Sequence, residues 1–182
     1  IPVIVISGQV KTETCMTSYP TLNVRQLGDQ EVDIISMVKG ITKYSKFIKS
    51  AKDLEIELPK AFEIASNGRP GPVWLDIPID VQSSKEKINF KKYSITKTFN
   101  RKLAESKINK LAESFLKAKK PIILAGTGIR ISKSLDDLRN LIEYFKIPLT
   151  TAWTHDLIET SHPLFIGRPG TIGTRPGNFA IQ

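Results

Sequence analysis

Residues 66–82 read S-N-G-R-P-G-P-V-W-L-D-I-P-I-D-V-Q, and the order of residue types there spells a helix end, a rigid turn and a buried strand. Gly68 stands where a helix closes in the left-handed conformation that glycine adopts at least cost. Pro70 and Pro72, on either side of Gly71, leave the next turn little freedom. Val73, Trp74, Leu75 and Ile77 then make a short apolar strand, and Pro78, which cannot donate to a sheet ladder, is expected to stop it.

Upstream of this stretch, residues 1–7 are a short apolar run ended by Gly8, the pattern of a buried parallel strand. Val32, Ile34, Ile35 and Val38 predict a short helix, and the alternation over residues 41–48 predicts an extended segment. Ser50 and Asp53 have the spacing of a capping box, with Asp in place of the usual Glu. Leu54, Leu58, Ala61, Phe62 and Ala65 then share one helical face. Pro59 lies inside that helix, where its missing N–H predicts a kink or a restart.

Downstream, the alternation begins again. Ala104, Ile108, Leu111, Ala112 and Phe115 form one helical face, residues 121–125 a strand, Leu135, Leu138, Leu141, Ile142 and Phe145 a second face, and residues 147–153 a second strand. A further helix begins within residues 176–182. Strands alternating with helices imply parallel α/β layers. The expected organisation is therefore parts of two parallel-sheet α/β domains, 1–82 and 101–182, joined by a linker at 83–100. A strand at the very start needs neighbours on both sides, so the chain is expected to be an internal piece of a longer polypeptide.

The 182 residues are 40% hydrophobic and 25% charged, a balance that excludes a disordered chain. No apolar run approaches the roughly 20 residues that span a bilayer, so no membrane partner is expected. Cys15, the single cysteine, can form no internal disulfide and reads as a packed or surface thiol of a cytoplasmic protein. The net charge of +9 raises the question of a nucleic-acid partner. Much of it lies in Lys85, Lys87, Lys91, Lys92, Lys97, Arg101 and Lys102, interleaved with Phe90, Tyr93 and Phe99, a pattern able to hold phosphates and stack on bases. Because the segment lies between two periodic regions, it is expected to be a solvated linker pinned by its aromatics, with no nucleic acid bound.

Together with G-Q-V at 8–10 and I-T-K at 41–43, the stretch 66–82 resembles the thiamine-diphosphate-dependent enzymes of the acetolactate synthase (acetohydroxyacid synthase) large-subunit type, over essentially the whole chain. The resemblance implies a doubly wound fold, with 1–82 the C-terminal half of the pyrimidine-binding domain and 101–182 the N-terminal part of the central domain. It implies a transferase, a 2-oxoacid decarboxylase and carboligase that passes a two-carbon unit from pyruvate to a carbonyl acceptor. Thiamine diphosphate and Mg²⁺ would serve the full-length enzyme, as a homodimer or homotetramer. In that family the glutamate that activates the cofactor lies upstream of G-Q-V, and the metal-binding G-D-G lies in the third domain. Neither falls within these residues, so the chain alone is expected to be inactive.

What the resemblance places here is accessory. Gln30, followed by Glu31, matches a Gln-Glu pair whose glutamine faces the cofactor of the partner subunit, although a glutamine that simply starts a helix would read the same. Lys43 matches the lysine of an I-T-K-H motif near the substrate channel, with Tyr44 in place of His. Gly126 and Gly128, around Thr127, and Gly170 with Thr171 match turns that contact FAD in the family. Arg168, Pro169 and the segment Ala152-Trp153-Thr154 depart from the flavin-binding pattern, so FAD is a possibility only. Arg130, Arg168 and Arg175 are able to pair with a nucleotide diphosphate. The G-R-P-G-T-I-G wording also resembles homologues in bacterial surface-sugar biosynthesis, whose acceptor would be a keto sugar. The rival reading is a non-catalytic module that binds FAD or NAD at Gly126 and Gly128.

Two further groups combine residues with catalytic or metal-binding chemistry. His155 and His162 flank Asp156 and Glu159, but Pro163 opposes a helix there and no third ligand is in view, so no metal site is expected. Asp76 and Asp80 flank Pro78 at a strand end, a common place for functional carboxylates in parallel sheets. Asp76 is expected to serve a nearby backbone turn.

Overall fold

The computed structural model describes residues 1–95, 101–152 and 157–182, the side chains of Arg101 and Leu103 excepted. Two units result, Ile1–Thr98 and Phe99–Gln182. The first contains β1 (Ile4–Gln9), α1 (Ile34–Val38), β2 (Tyr44–Phe47), α2 (Leu54–Ser66), β3 (Val73–Pro78) and α3 (Ile79–Gln82). Its sheet has the order β1-β3-β2, and both pairings are parallel. As the central strand, β3 is covered on both faces, and Val73, Leu75, Asp76, Ile77 and Pro78 are all buried. Ala61 and Ala65 of α2 pack with Val73, Leu75, Ile77 and Ile48 in the core. Small side chains on the helix let it approach the larger ones of the strand, and each buried Leu or Ile contributes about 1.5–3 kcal/mol.

The local signals around β3 are realised, with shifts at the ends. Gly68 closes α2 at φ +65°, the left-handed conformation expected of it. Pro78 does not stop the strand short but is its last residue, opposite Gln9, where no further ladder bond calls for an N–H. β1 does not end at Gly8; it pairs through Gly8 and Gln9. Nor is it a buried strand, since it lies on an edge and Ile6 is 58% exposed. α3 follows β3 directly and was not expected, because four residues are too few to show a period.

The capping box forms, with Ser50 Oγ accepting from the Asp53 N–H and the Asp53 carboxylate accepting from the Ser50 N–H. It caps a 3₁₀ turn, Ala51–Asp53, that leads into α2. Of the kink or restart expected at Pro59, the restart does not occur: α2 is one helix through that residue. The acceptor that Pro59 fails to bond is the Glu55 carbonyl, and it takes the backbone N–H of Lys91 instead, at 2.8 Å. Asn89 N–H also donates to Glu55 Oε1 at 3.1 Å and Ile95 N–H to Glu63 Oε1 at 3.3 Å. Among the described residues the linker is thus pinned by carboxylates and a carbonyl of α2, and Phe90, one of its aromatics, is 60% exposed. Lys97 and Phe99 lie outside the described residues.

In the second unit come α4 (Arg101–Lys117), β4 (Ile123–Ala125), α5 (Gly128–Ile131), α6 (Leu135–Phe145), β5 (Leu149–Thr151), β6 (Phe165–Gly167) and α7 (Arg175–Ala180). The sheet order is β4-β5-β6, again parallel. Leu138 and Ile142 of α6 pack with Ala125, Leu149, Leu157 and Ile158, whereas Leu141 and Phe145 of the expected face are about half exposed. α4 forms where its period predicted, yet its apolar face is not buried: Ile108 is 61% and Leu111 69% exposed. Phe115 meets Phe145 edge to face at 5.2 Å. β5 is shorter than the expected 147–153, and Trp153 lies outside the described residues. β6, three residues ending in glycine, had no periodic signal to announce it.

Candidate functional site

β1 and β3 run side by side and finish together, so the loop that leaves β1, residues 10–33, starts beside the C-terminal end of β3 and α3. Two carboxylates hold that loop directly and a third holds it through Gln9 of β1. Asp80 accepts from the Thr12 N–H at 3.0 Å and its hydroxyl at 2.5 Å. Partial burial alone would raise the Asp80 carboxyl, but the Thr12 donors outweigh it and hold the group below the usual carboxylate range. Glu31 gathers the N–H groups of Met16 at 2.5 Å, Leu27 at 3.2 Å and Gly28 at 3.4 Å.

Asp76 is the third and the deepest. It does not serve a backbone turn, as its position suggested, but two side chains of β1: Ser7 Oγ donates to Oδ1 at 2.6 Å and Gln9 Nε2 to Oδ2 at 3.0 Å. Ser7 Oγ in turn accepts from the Trp74 indole N–H at 2.8 Å. Gln9 Nε2 also donates to the Val32 carbonyl at 2.7 Å, which ties the end of the loop to the sheet. Burial pushes the Asp76 carboxyl up, against the pull of the Ser7 and Gln9 donors. Cys15 is buried in the same loop, and its thiol is pushed up to about 11, first by burial and then by the charges of Glu31, Asp76 and Asp80.

Gln30 sits on this loop immediately before Glu31, with its side chain exposed and making no hydrogen bond to a described residue. Lys43 lies elsewhere. Its backbone N–H bonds the Pro72 carbonyl just before β2 and β3 begin, so it belongs to the N-terminal edge of the sheet, whereas the Val32 tether holds the Gln30 segment to the C-terminal edge. A strand the length of β3 spans about 17–20 Å. The Lys43 ammonium donates to the Asn67 carbonyl at 2.8 Å and to the Ile64 carbonyl, closing the C-terminus of α2. The structure therefore does not bring Gln30 and Lys43 together.

In the second unit, the turns that carry Gly126, Gly128, Gly170 and Thr171 follow β4 and β6, at the same edge of one sheet. A Cβ built on Gly126, Gly128 or Gly170 meets no atom within 4 Å. At Gly126 and Gly128 the fold therefore does not require glycine, and the bare backbone is open to a ligand, which fits the close approach of a nucleotide, whereas Gly170 sits at φ +133°, a conformation that itself calls for glycine. Gly167 is different: at φ +136° its Cβ would fall 2.2 Å from Thr174 Oγ1. That hydroxyl accepts from the Arg168 N–H at 3.0 Å and the Gly177 N–H at 3.2 Å. The Asn178 amide bridges the N–H and carbonyl of Gly170. The stapled loop lines a cavity of about 160 Å³ with Gly170, Thr171, Ile172 and Gly173. Arg168 and Arg175 stack over Phe165 and Phe179, at 5.3 and 5.5 Å from the ring centres.

His162 is built into the fold. Its Nδ1 accepts from the Leu164 N–H at 3.2 Å, which places the proton on Nε2, 2.8 Å from Glu143 Oε1. His155 and Asp156 lie outside the described residues, as do Trp153 and Thr154. Among the described residues no group of three His, Cys, Asp or Glu side chains comes together to hold a metal. No described helix is long and apolar enough to cross a membrane.

Residues 108–182 match the family pattern of the thiamine pyrophosphate enzyme central domain. The chain is 37% identical to the acetolactate synthase large subunit of Buchnera aphidicola subsp. Schizaphis graminum, covering 100% of this chain and 31% of that protein. It is 31% identical to the acetolactate synthase isozyme 2 large subunit of Escherichia coli K12, with the same coverage. A solved structure from Mycobacterium smegmatis, described as thiamin diphosphate-dependent, superposes with a TM-score of 0.72 over 92% of this chain and 31% of its own, at 23% identity; it shows the likeness of fold. The chain spans about 30% of the length of the curated relatives it matches. With a central-domain pattern over its second unit and acetolactate synthase likeness along its whole length, the chain belongs to the thiamine-pyrophosphate-dependent enzyme family, of the acetolactate synthase-like kind.

Proposed function

We propose that this chain is part of a thiamine-diphosphate-dependent carboligase that decarboxylates pyruvate or a related 2-oxoacid and transfers the two-carbon unit to a carbonyl acceptor. The observation that carries this is the likeness to acetolactate synthase large subunits along the entire chain, in step with two parallel α/β units in sequence. Residues 1–82 supply the latter half of a pyrimidine-binding domain, 83–100 a linker, and 101–182 the first part of the central domain. The working enzyme is a cytoplasmic homodimer or homotetramer.

The cofactor, when bound with Mg²⁺, supplies the electron sink for decarboxylation. This chain's share is to shape and position. Gln30, exposed on a loop held by three carboxylates, offers an amide that can donate to or accept from a reacting group. Lys43 closes α2 and keeps the 67–72 turn in place. Gly126 and Gly128 offer open backbone to the diphosphate and ribose of FAD, with Gly170 and Thr171 in a turn at the same edge of the sheet, and the free space over Gly126 and Gly128 is what supports that assignment.

The test is formation of acetolactate from pyruvate by the intact protein with thiamine diphosphate and Mg²⁺, alongside calorimetric titration with FAD. Product formation that depends on thiamine diphosphate is the expected result. Binding of FAD or NAD with no turnover of any 2-oxoacid would overturn the carboligase reading.

A further inference from the structure

The amide of Gln9 is used on three sides. One Nε2 hydrogen goes to Asp76 Oδ2 at 3.0 Å, the other to the Val32 carbonyl at 2.7 Å, and Oε1 accepts from the Val10 N–H at 3.1 Å. Ionised Asp76 can only accept, so it holds the NH₂ end of that amide toward itself and toward Val32. The polarity is set further back, because Ser7 receives the Trp74 N–H and therefore turns its own hydrogen to Asp76. Val32 follows Gln30 by two residues, and Asp33, next in line, caps α1 by accepting from the Ser36 N–H at 3.1 Å.

We infer that Asp76 is a positioning residue: acting through Gln9 and the Val32 carbonyl, it fixes the place at which the Gln30 amide meets the reacting groups. The inference rests on the role given to Gln30 above. Asp76 itself touches no part of the surface where Gln30 lies, being 1% exposed. A carboxylate is an expensive choice for that position, since a well-packed apolar residue of similar volume is often as stable or more so. The second hydrogen of Gln9 also does nothing for the burial of Asp76; its effect falls on the loop. A displacement of about 1 Å in such a group is enough to lower turnover by up to about a hundredfold.

The experiment is a double-mutant cycle in the intact protein, with kcat and KM for pyruvate measured for Gln9→Met, Gln30→Ala and the pair. The expected result is a fall in kcat of about tenfold for Gln9→Met with KM little changed. The pair should be no worse than Gln30→Ala alone, since a loosened Gln9 has no amide left to misplace. Asp76→Asn, which can still accept from Gln9 and donate to Ser7, should retain most of the activity lost in Asp76→Ala. If Gln30→Ala lowers kcat but Gln9→Met does not, or if the two effects multiply independently, the positioning role is overturned while the function of Gln30 stands. If Gln30→Ala leaves kcat unchanged, the role of Gln30 falls and this inference with it. Should Gln9→Met not fold, Gln9→Asn, too short to reach both Asp76 and Val32, makes the same measurement.

Discussion

The backbone N–H of Lys91 donates to the carbonyl oxygen of Glu55 at 2.8 Å, the oxygen that position 59 of α2 would bond in an uninterrupted helix. Pro59 has no N–H to offer. An internal helical proline costs about 3 kcal/mol in helix propensity, and here the vacated acceptor becomes an anchor for the linker. Glu55 adds its carboxylate, which accepts from the Asn89 N–H at 3.1 Å and lies 3.7 Å from the Lys91 ammonium. In Pro59→Ala the helix regains its own donor and the linker loses its acceptor. The expected outcome is a more stable α2 together with cleavage by trypsin at Lys91 and Lys92 that is several times faster. Unchanged cleavage, followed by mass spectrometry, would show that the linker is held without that bond.

Lys43 closes a helix and crosses a turn at the same time. Its stem lies over Gly71, where an added Cβ would sit 2.7 Å from the lysine Cδ. Its ammonium rests on the carbonyls of Ile64 and Asn67 at the negative end of α2. Lys43→Met should keep the packing and lose the cap, lowering stability by about 1 kcal/mol. Gly71→Ala should cost more by displacing the whole side chain. Urea unfolding measures both, and a Lys43→Met variant as stable as the parent would remove the capping role.

The thiol of Cys15 should be nearly inert. With its pKa pushed up to about 11, only about one thiol in a thousand is ionised at pH 8, against about one in four for an ordinary cysteine. Alkylation by iodoacetamide at pH 8 is therefore expected to be at least about a hundredfold slower than for a free thiol. The rate should rise about tenfold per pH unit until the thiol titrates. Glu31→Gln removes one of the charges that raise the group and should speed the reaction. A fast reaction in the folded protein at pH 8 would contradict the geometry of the loop.

Thr151, at the end of β5, carries a buried hydroxyl without a hydrogen-bond partner among the described residues. An orphaned polar group in the core costs about 1–3 kcal/mol relative to a satisfied one, and valine has nearly the same shape. Thr151→Val is expected to raise stability by about 1 kcal/mol, read as a shift of the urea midpoint at unchanged slope. Its neighbour Thr150, whose hydroxyl donates to the Ile123 carbonyl at 3.3 Å, is the control. Thr150→Val should give no such gain.

Elements written in contiguous residues were legible: the Gly68 close, the Ser50 cap, the β3 run, and the helices α2, α4 and α6. Those signals are local, and propensity and periodicity carry them. Burial was not legible to the same degree. The period of α4 announces a helix whether or not anything covers Ile108 and Leu111. Short elements such as α3 and β6 escaped because three or four residues cannot display a period.

For the site the division is sharper. Sequence alone was enough to mark Asp76, Asp80, Gln30, Lys43 and the Gly126 and Gly170 turns, through residue type and resemblance. Only the tertiary structure decided what they do to one another. Asp76 meets Ser7 and Gln9 because β1 and β3 pair in one register, across nearly seventy residues of chain. Lys43 and Gln30, close in sequence, part company because a parallel sheet sends the loop after β1 and the turn before β2 to opposite edges. Residue identity determines which bonds a side chain is able to make; strand register and chain direction determine which partner is within 3 Å.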